Sequence, residues 1–240
     1  MSESTKQRPW RVVCVHGAGG GAWEWNIWAR VLRARGIDVV SRDLEAGPEG
    51  LAATCFADYR AQVADWCREA GHDGAPLALI GASLGGLLAL AAAVEARAAA
   101  LVLVNALPPA GVVRRLPDVA PAAVVPWGSR RSLHGTRRAM PDADDAAALY
   151  AFRRWRDESG QAIAEAQAGI VVEWPHCPAL VVAGEHDDEI PAFASRALAV
   201  RLGADFECLP GASHVGPLLG AQASSVAVRV ADWLAARQRA

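Results

Sequence analysis

Six short apolar runs, separated by longer helix-like segments, constrain the fold of this chain more than any other feature. The runs are apolar at successive positions rather than alternate ones, which predicts strands buried on both faces. Crossovers of a dozen residues or more between such strands imply a parallel sheet covered by helices, an α/β fold. The predicted strands are residues 11–15, 38–41, 77–80, 100–104, 179–183 and 205–209.

Helical patterns fill most of the intervals, and one interval breaks the alternation. The predicted helices are residues 22–35, 56–70, 85–96, 191–202 and 221–239. Between Leu107 and Cys177 there is no clear strand; prolines punctuate the interval, and helical patterns lie near 142–158 and 159–170. This favours a helical cap inserted after the fourth strand. The prediction is one domain with a core of 1–107 and 175–240 and a cap of 108–174.

Composition excludes several classes of function. The 240 residues carry 24 Lys+Arg against 26 Asp+Glu, so no global charge favours nucleic acid or an anionic membrane. No apolar run is long enough to span a bilayer, and residues 1–9 do not resemble a signal peptide. The five cysteines are widely spaced without a CxxC pair, which is typical of reduced core residues. We therefore expect a cytoplasmic protein.

A single serine stands between the third predicted strand and the helix that follows it. Gly81-Ala82-Ser83-Leu84-Gly85 is a G-x-S-x-G pattern in the strand-to-helix context of a nucleophile elbow. Such a turn presents the serine hydroxyl above the sheet edge, near a helix N-terminus that favours negative charge. The alternative is a glycine-rich tight turn with an incidental serine.

A nucleophilic serine needs a histidine base and an acid to orient that base. Of the six histidines, His214 follows the last predicted strand, as the chain order serine, acid, histidine requires. The acid should come from residues 184–191, which hold Glu185, Asp187, Asp188 and Glu189. An acid after the fourth strand is disfavoured, because that strand ends at Asn105 and an amide carries no charge.

The glycine-rich loop after the first strand predicts an oxyanion hole. Residues 16–21 read His-Gly-Ala-Gly-Gly-Gly, and we assign the backbone amides of Ala18 and Leu84 as the donors. A nucleotide phosphate loop does not fit, because neither GxxxxGK[ST] nor GxGxxG before a helix is present. No group of His, Cys and acidic residues has metal-ligand spacing, so the sequence implies no metal and no organic cofactor.

These motifs together resemble the α/β-hydrolase superfamily, and in particular its methylesterase and hydroxynitrile-lyase branch. The branch opens with HGA, a short variable stretch, GAW, and a later Asp-Leu pair, matched here by residues 16–18, 21–23 and 43–44. Its late motif G-x-x-D-x-x-V-P is similar to Gly184 through Pro191. The resemblance therefore implies an α/β-hydrolase fold with a six-stranded sheet, and Asp187 as the acid, with Asp188 as the second choice.

Three departures from the branch bear on the chemistry. Hydroxynitrile lyases of this type usually carry threonine at the position of Gly17 and lysine at the position of Val215. Both groups are absent, which favours ester hydrolysis over cyanohydrin cleavage. Ala82 replaces a frequent histidine beside the nucleophile, a position outside the triad.

The cap offers candidates for substrate binding. Its aromatic residues predict an acyl pocket, with Trp127 and Trp155 as the substrate-binding residues; alternatively, Leu149, Phe152 and Trp155 simply hold a cap helix to the core. An arginine patch would steer an anionic substrate, or would simply be a solvated surface. Its members are Arg114, Arg115, Arg130, Arg131, Arg137 and Arg138.

The sequence thus predicts a serine hydrolase that cleaves a small carboxylic ester, thioester or lactone through an acyl-enzyme intermediate. A lyase, acyltransferase or cyclase using the same site is the alternative among enzymes. A ligand-binding protein with a vestigial triad is the alternative outside them. The expected partner is a small molecule, neither nucleic acid nor membrane, and a homodimer formed through the cap is left open.

Overall fold

The computed structural model of the protein describes residues 8–113 and 120–238, and its centre is a parallel sheet. Six strands form this sheet in the order β2-β1-β3-β4-β7-β8, which confirms the predicted architecture. A separate antiparallel pair joins β5 and β6. The strands are β1 (Arg11–Val15), β2 (Asp38–Ser41), β3 (Leu77–Ala82), β4 (Ala100–Val104), β5 (Val124–Val125), β6 (Glu158–Ser159), β7 (Ala179–Gly184) and β8 (Asp205–Leu209).

Helices cover both faces of the six-stranded sheet. Alternate residues of β1 point to opposite faces: Val12 and Cys14 join one apolar cluster, and Val13 and Val15 join the other. Helices α1 and α9 pack on the first face, and α2 and α3 on the second. The helices are α1 (Asn26–Ala34), α2 (Phe56–Ala70), α3 (Leu84–Ala92), α4 (Leu133–Ala139), α5 (Asp145–Phe152), α6 (Gly160–Gly169), α7 (Ala192–Leu202), α8 (Gly216–Leu219) and α9 (Ala223–Gln238).

Most predicted elements of the core agree with the structure, with small differences at their ends. The predicted helix 22–35 begins as a 3-10 helix, Ala22–Trp25, before α1. The predicted helix 85–96 ends earlier, at Ala92, because the chain continues in turns to Arg97, whose φ of 49° is left-handed. Residue 239 of the last predicted helix lies outside the described residues.

The cap differs from its prediction in two respects. The expectation of no strand was wrong, because β5 and β6 pair within it. The predicted helix 142–158 was wrong at both ends: Asp144 caps α5 by accepting the N–H of Ala147, and the helix ends at Phe152. The chain then extends so that the Arg156 N–H reaches the carbonyl of Gly19 in the core. The boundaries of the cap at 108 and 174 stay a prediction.

Other expectations concern the membrane and the cysteines. The described helices are all too short or too polar to cross a lipid bilayer. All five cysteines are free, and Cys14 and Cys67 are buried. Burial raises the pKa of the Cys67 thiol to about 12, so this side chain behaves as a small core residue.

Candidate active site

Ser83 occupies a sharp turn between β3 and α3. Its backbone has φ 52° and ψ −123°, a left-handed conformation that costs a non-glycine residue free energy. Backbone hydrogen bonds hold it there: the Ser83 N–H donates to Val104 O (3.1 Å), and the Leu107 N–H donates to Ser83 O (3.0 Å). The turn thus has the geometry that the G-x-S-x-G pattern predicts.

The two glycines of that pattern allow close packing around the turn. A Cβ atom at Gly81 would overlap the carbonyl oxygen of Gly85, and one at Gly85 would overlap the carbonyl oxygen of His16 at the end of β1. Any side chain at either position would therefore push α3 away from the sheet. This explains why both positions flanking the serine are glycine.

His214 and Asp187 form a hydrogen-bonded pair at the carboxyl edge of the sheet. The two side chains meet at 2.8 Å between Nδ1 and Oδ2. The other oxygen of Asp187, Oδ1, accepts the N–H groups of Glu189 (2.9 Å) and Ile190 (2.8 Å). The Asp187 side chain has no exposed surface, whereas Asp188 is exposed. The structure thus brings His214 together with the first choice for the acid.

The environment of His214 favours a protonated imidazole. Burial is the largest single effect and lowers the pKa of His214, but the hydrogen bond and negative charge of Asp187, together with smaller effects of other nearby acids, raise it overall. A base that takes up a proton during the reaction benefits from such a partner. Four of the other histidines, His72, His134, His176 and His186, are exposed.

His16 is buried and has a structural role. The Leu44 N–H donates to its Nε2 (2.8 Å), so Nδ1 carries the proton and donates to Gly17 O (2.8 Å). Burial lowers the pKa of His16, which keeps the imidazole neutral. The residue therefore joins the loops that follow β1 and β2.

Asn105 connects the loop that carries Asp187 to the loop that carries His214. From the sequence, this residue indicated only that no acid follows β4. It follows β4 with φ 43°, and its Nδ2 donates to His214 O (2.6 Å) and Ser213 O (3.3 Å). Its Oδ1 accepts the Gly184 N–H (2.7 Å) at the end of β7. An aspartate could not donate to those carbonyls, so the amide itself is what this buried position requires.

A second contact on the base comes from the cap. Asp142 accepts the Ser213 hydroxyl (2.5 Å) and the Ser213 N–H (3.1 Å), directly before His214 in the chain. The sequence showed no signal for this role, because Asp142 stands at the start of a predicted helix, where an acid is common for another reason. It places a cap carboxylate behind the loop that carries the imidazole.

Three N–H groups of the loop after β1 are bound to protein acceptors. The Gly17 N–H donates to Glu24 Oε2 (3.2 Å), and the Gly20 N–H donates to Gly17 O (3.2 Å). The Gly19 N–H donates to Glu158 Oε2 (2.9 Å). These bonds define a turn over residues 17–20 that the side chains of two buried glutamates, Glu24 and Glu158, hold from outside.

Ala18 differs from its neighbours in this loop. Within residues 8–113 and 120–238, its N–H has no protein acceptor, and neither has the N–H of Leu84 at the start of α3. Gly17 faces Ser83 directly, since a Cβ atom at Gly17 would lie 3.8 Å from Ser83 Oγ. Ala18 follows Gly17 in the chain and Leu84 follows Ser83, so each residue predicted to supply a donor is next to one of two residues in contact at the serine turn. Their role as oxyanion donors stays a prediction.

Glu24 is a buried acid beside this loop that the sequence did not single out. It lies in the 3-10 helix, is 4% exposed, and takes the Gly17 N–H. Burial raises the pKa of Glu24 to about 8, while the Gly17 hydrogen bond and the positive charge on His214 oppose that rise. The side chain is therefore mostly protonated at neutral pH.

Replacing this acid should stabilise the protein in a pH-dependent way. The unfolded chain ionises Glu24 near pH 4.5 but the folded protein only near 8, so folding loses stability as the pH rises between these values. Glu24→Gln stays neutral. We expect the free energies of unfolding of Glu24→Gln and wild type to be equal near pH 4.5. Above pH 8, that of the variant should be greater by on the order of 3–5 kcal/mol. Urea unfolding across this range measures it; a difference independent of pH would contradict the shifted pKa.

The two tryptophans proposed for substrate binding have different surroundings. Trp155 packs edge-on against Trp23, with ring centroids 5.2 Å apart, and its Nε1 donates to Thr136 Oγ1 (3.1 Å). These contacts favour the structural alternative for Trp155. Trp127 is 47% exposed and packs against Gly19 of the loop. Substrate binding by Trp127 stays a prediction.

A cavity of about 240 Å³ lies between the loop after β2 and the cap. Leu44, Leu51 and Tyr59 form part of its wall, together with Gly20. Neither Ser83 nor His214 lines it, so this cavity lies beside the candidate active site and not in it.

The arginine patch of the cap is only partly described. Arg114 and Arg115 lie outside the described residues. The other four members are exposed. Among them, Arg137 pairs with Asp145 (2.8 Å) and Arg131 lies over the ring of Phe152. Steering of an anionic substrate by this patch stays a prediction.

A parallel α/β sheet that presents a strained serine turn and an acid–histidine pair at its carboxyl edge defines the α/β-hydrolase class of proteins. Sequence comparison agrees with this class: the chain belongs to the alpha/beta hydrolase family, whose model matches residues 12–232. No curated protein matches the chain by sequence.

Solved structures share the fold, among them two with esterase names and one of a methylketone synthase. Polyneuridine aldehyde esterase is 18% identical, with a TM-score of 0.71 over 95% of this chain and 100% of that chain. An Arabidopsis methylesterase is 15% identical, with a TM-score of 0.69 over 93% and 98%. Tomato methylketone synthase I is 15% identical, with a TM-score of 0.72 over 95% and 99%. At these identities the likeness concerns the fold.

Proposed function

We propose that this protein is a serine hydrolase that cleaves a small carboxylic ester, thioester or lactone through an acyl-enzyme intermediate. The observation that carries the proposal is the His214–Asp187 pair (2.8 Å) at the same sheet edge as the strained Ser83. The unoccupied N–H groups of Ala18 and Leu84 support it, because acyl transfer needs donors for a tetrahedral oxyanion. The esterase names among its structural neighbours agree with this reaction class.

The proposed reaction has two steps. Ser83 Oγ attacks the carbonyl carbon while His214 takes the hydroxyl proton, and Asp187 stabilises the resulting imidazolium. The Ala18 and Leu84 amides bind the oxyanion. His214 then protonates the departing alcohol or thiol, or the ring oxygen of a lactone, which leaves an acyl group on Ser83. Water then attacks the acyl carbon while His214 takes one of its protons. His214 returns that proton to Ser83 Oγ as the ester bond breaks, which releases the acid and free Ser83.

The space beside the nucleophile favours hydrolysis over lyase chemistry. A side chain at Gly17 would begin 3.1 Å from Ser83 Cβ, so the residue type at this position decides what stands next to the reacting atoms. Glycine leaves that space open for substrate and water, where lyases of the resembling branch carry a threonine. Val215, after the base, supplies no ammonium group.

We propose that the protein acts in the cytoplasm on a small molecule that binds near Trp127.

A fluorophosphonate probe tests the activated nucleophile. We expect covalent labelling of the folded protein at Ser83, identified by peptide mass, with no labelling of Ser83→Ala or of the urea-unfolded protein. Absence of labelling would favour a ligand-binding protein with a vestigial triad. Hydrolysis of p-nitrophenyl esters, methyl esters and acyl thioesters, with and without an added alcohol, then distinguishes a hydrolase from an acyltransferase by its products.

A further inference from the structure

The cap holds Gly19 of the loop after β1 by both of its backbone groups. Its N–H donates to Glu158 Oε2 (2.9 Å), and its carbonyl accepts the Arg156 N–H (2.8 Å). Trp127 packs on the same residue, since a Cβ atom at Gly19 would lie 2.5 Å from Trp127 Cε3. Gly19 has a φ of 70°, so it holds a turn that other residues rarely adopt. The conformation of this loop therefore depends on the cap.

Glu158 is a buried side chain, 4% exposed, and the hydrogen bonds that it accepts from the described residues come from neutral donors. Besides the Gly19 N–H, it accepts the Tyr59 hydroxyl (2.5 Å) and the Ser159 N–H (2.7 Å), both at Oε1. These three donors use both oxygens of the side chain, and a carboxylate can accept at each of them. Burying such a group is costly unless its bonds are complete. Its position is accordingly well determined, and so is that of the Gly19 N–H.

Ala18 stands between two N–H groups that buried acids hold. The N–H before it, on Gly17, is bound by Glu24, and the N–H after it, on Gly19, is bound by Glu158. Each peptide is a rigid plane, so fixing the planes on either side restricts the direction of the Ala18 N–H. The bond at Gly19 acts together with the bonds of His16 and Gly20 to the Gly17 carbonyl, which lies in the same plane as that N–H. That N–H has no acceptor in the described part of the protein and is the proposed oxyanion donor.

We propose that Glu158 is a positioning residue for the oxyanion hole: through Gly19, a cap carboxylate sets the direction of the Ala18 N–H. The inference rests on the proposed hydrolase function, because only acyl transfer at Ser83 uses that donor. If so, the cap stabilises the transition state through its contact with Gly19 in the core. This effect is separate from any contact of the cap with substrate. Oxyanion donors act through their geometry, and a misdirected donor loses most of its effect.

Glu158→Gln tests this positioning with little change in size. The amide oxygen can keep the Tyr59 and Ser159 hydrogen bonds, but the amide NH2 then faces the Gly19 N–H, so two donors meet. We expect kcat for an ester, and the rate of fluorophosphonate labelling, to fall by about 10- to 100-fold. KM should stay within about twofold. The affinity for a boronic acid, which forms a tetrahedral adduct with Ser83, should fall in proportion to kcat/KM.

Glu165→Gln is the matched control. Glu165 is also a cap glutamate that accepts a backbone N–H from the core, that of Phe56 (2.8 Å). Its hydrogen bonds within the described residues go to Phe56 and Gln161 and not to the loop after β1. It should keep wild-type labelling and boronic acid affinity. If a folded Glu158→Gln behaves in the same way while wild type is labelled, the role of Glu158 is wrong and the hydrolase proposal stands.

Two further outcomes are distinguishable. If wild type itself is not labelled, the hydrolase proposal fails and the role of Glu158 fails with it. If Glu158→Gln lacks the wild-type near-UV circular dichroism, Glu158→Asp replaces it, since it keeps an acceptor but draws it back from Gly19 by one methylene. The same selective loss of labelling rate and boronic acid affinity is expected, and wild-type values in Glu158→Asp would overturn the inference.

Discussion

Ser83→Ala should lose ester hydrolysis by on the order of 10⁴-fold or more while the protein stays folded. The hydroxyl is the atom that would form the acyl-enzyme, and no other group takes its place in the turn between β3 and α3. The residual hydrolysis would come from direct attack of water on the substrate, assisted by His214 and by the Ala18 and Leu84 amides. Initial rates on a p-nitrophenyl ester, with active-site titration of wild type, measure the loss. Turnover within tenfold of wild type would remove Ser83 from the mechanism.

A second substitution at the same position separates chemistry from backbone strain. Ser83 has φ 52° and ψ −123°, values that glycine adopts without the cost paid by residues with a Cβ atom. Ser83→Gly should be as inactive as Ser83→Ala but more stable by about 1–2 kcal/mol in urea unfolding. Equal stability of the two variants would mean that the turn holds no strain at this residue.

The core could be predicted from sequence because its elements depend on local patterns. Strand β1, Arg11–Val15, and helix α2, Phe56–Ala70, have the predicted bounds. Apolar runs and amphipathic periodicity determine such elements almost independently of their neighbours. The structure also explains Ala82, which the sequence left without a role: it is buried with Ala78 and Ile80 on the sheet face covered by α1 and α9.

The cap could not be predicted so well, because distant contacts determine it. Residues 153–158 have helical propensity next to α5, yet they leave the helix so that Arg156 and Glu158 bond to Gly19. Gly19 and Glu158 are 139 residues apart in the chain, and a contact over such a separation leaves no periodic signal in the local sequence. Tertiary hydrogen bonds that satisfy a buried loop therefore outweigh local preference here.

The candidate site shows the same division. Ser83, Asp187 and His214 follow strands in a set order, so motif and topology were enough to propose them. Glu24 was hidden within a helical pattern, where a glutamate usually faces solvent, and its burial follows from packing against residues 17–20. From the sequence, Asn105 indicated only that no acid follows β4. Its hydrogen bonds depend on two loops that are remote in sequence.

Asp187→Asn should reduce kcat/KM by about 10⁴-fold, because the site would select the wrong histidine tautomer. In the native protein, Oδ1 of Asp187 accepts the Glu189 and Ile190 N–H groups. These donors will orient the asparagine so that its oxygen takes the place of Oδ1 and its NH2 group faces His214 Nδ1. That nitrogen must then accept, which puts the imidazole proton on Nε2, where a base for Ser83 needs a lone pair.

The same substitution has a pH signature that simple unfolding would not produce. Asp187 raises the pKa of His214 against the opposing effect of burial, so its neutral replacement should lower that pKa. A base must be deprotonated to act, and wild-type kcat/KM should therefore fall as the pH drops through the raised pKa of His214. In Asp187→Asn the remaining activity should persist to lower pH. Asp188→Asn, an exposed neighbour, should keep the wild-type rate and profile; if it lost activity instead, Asp188 would be the acid.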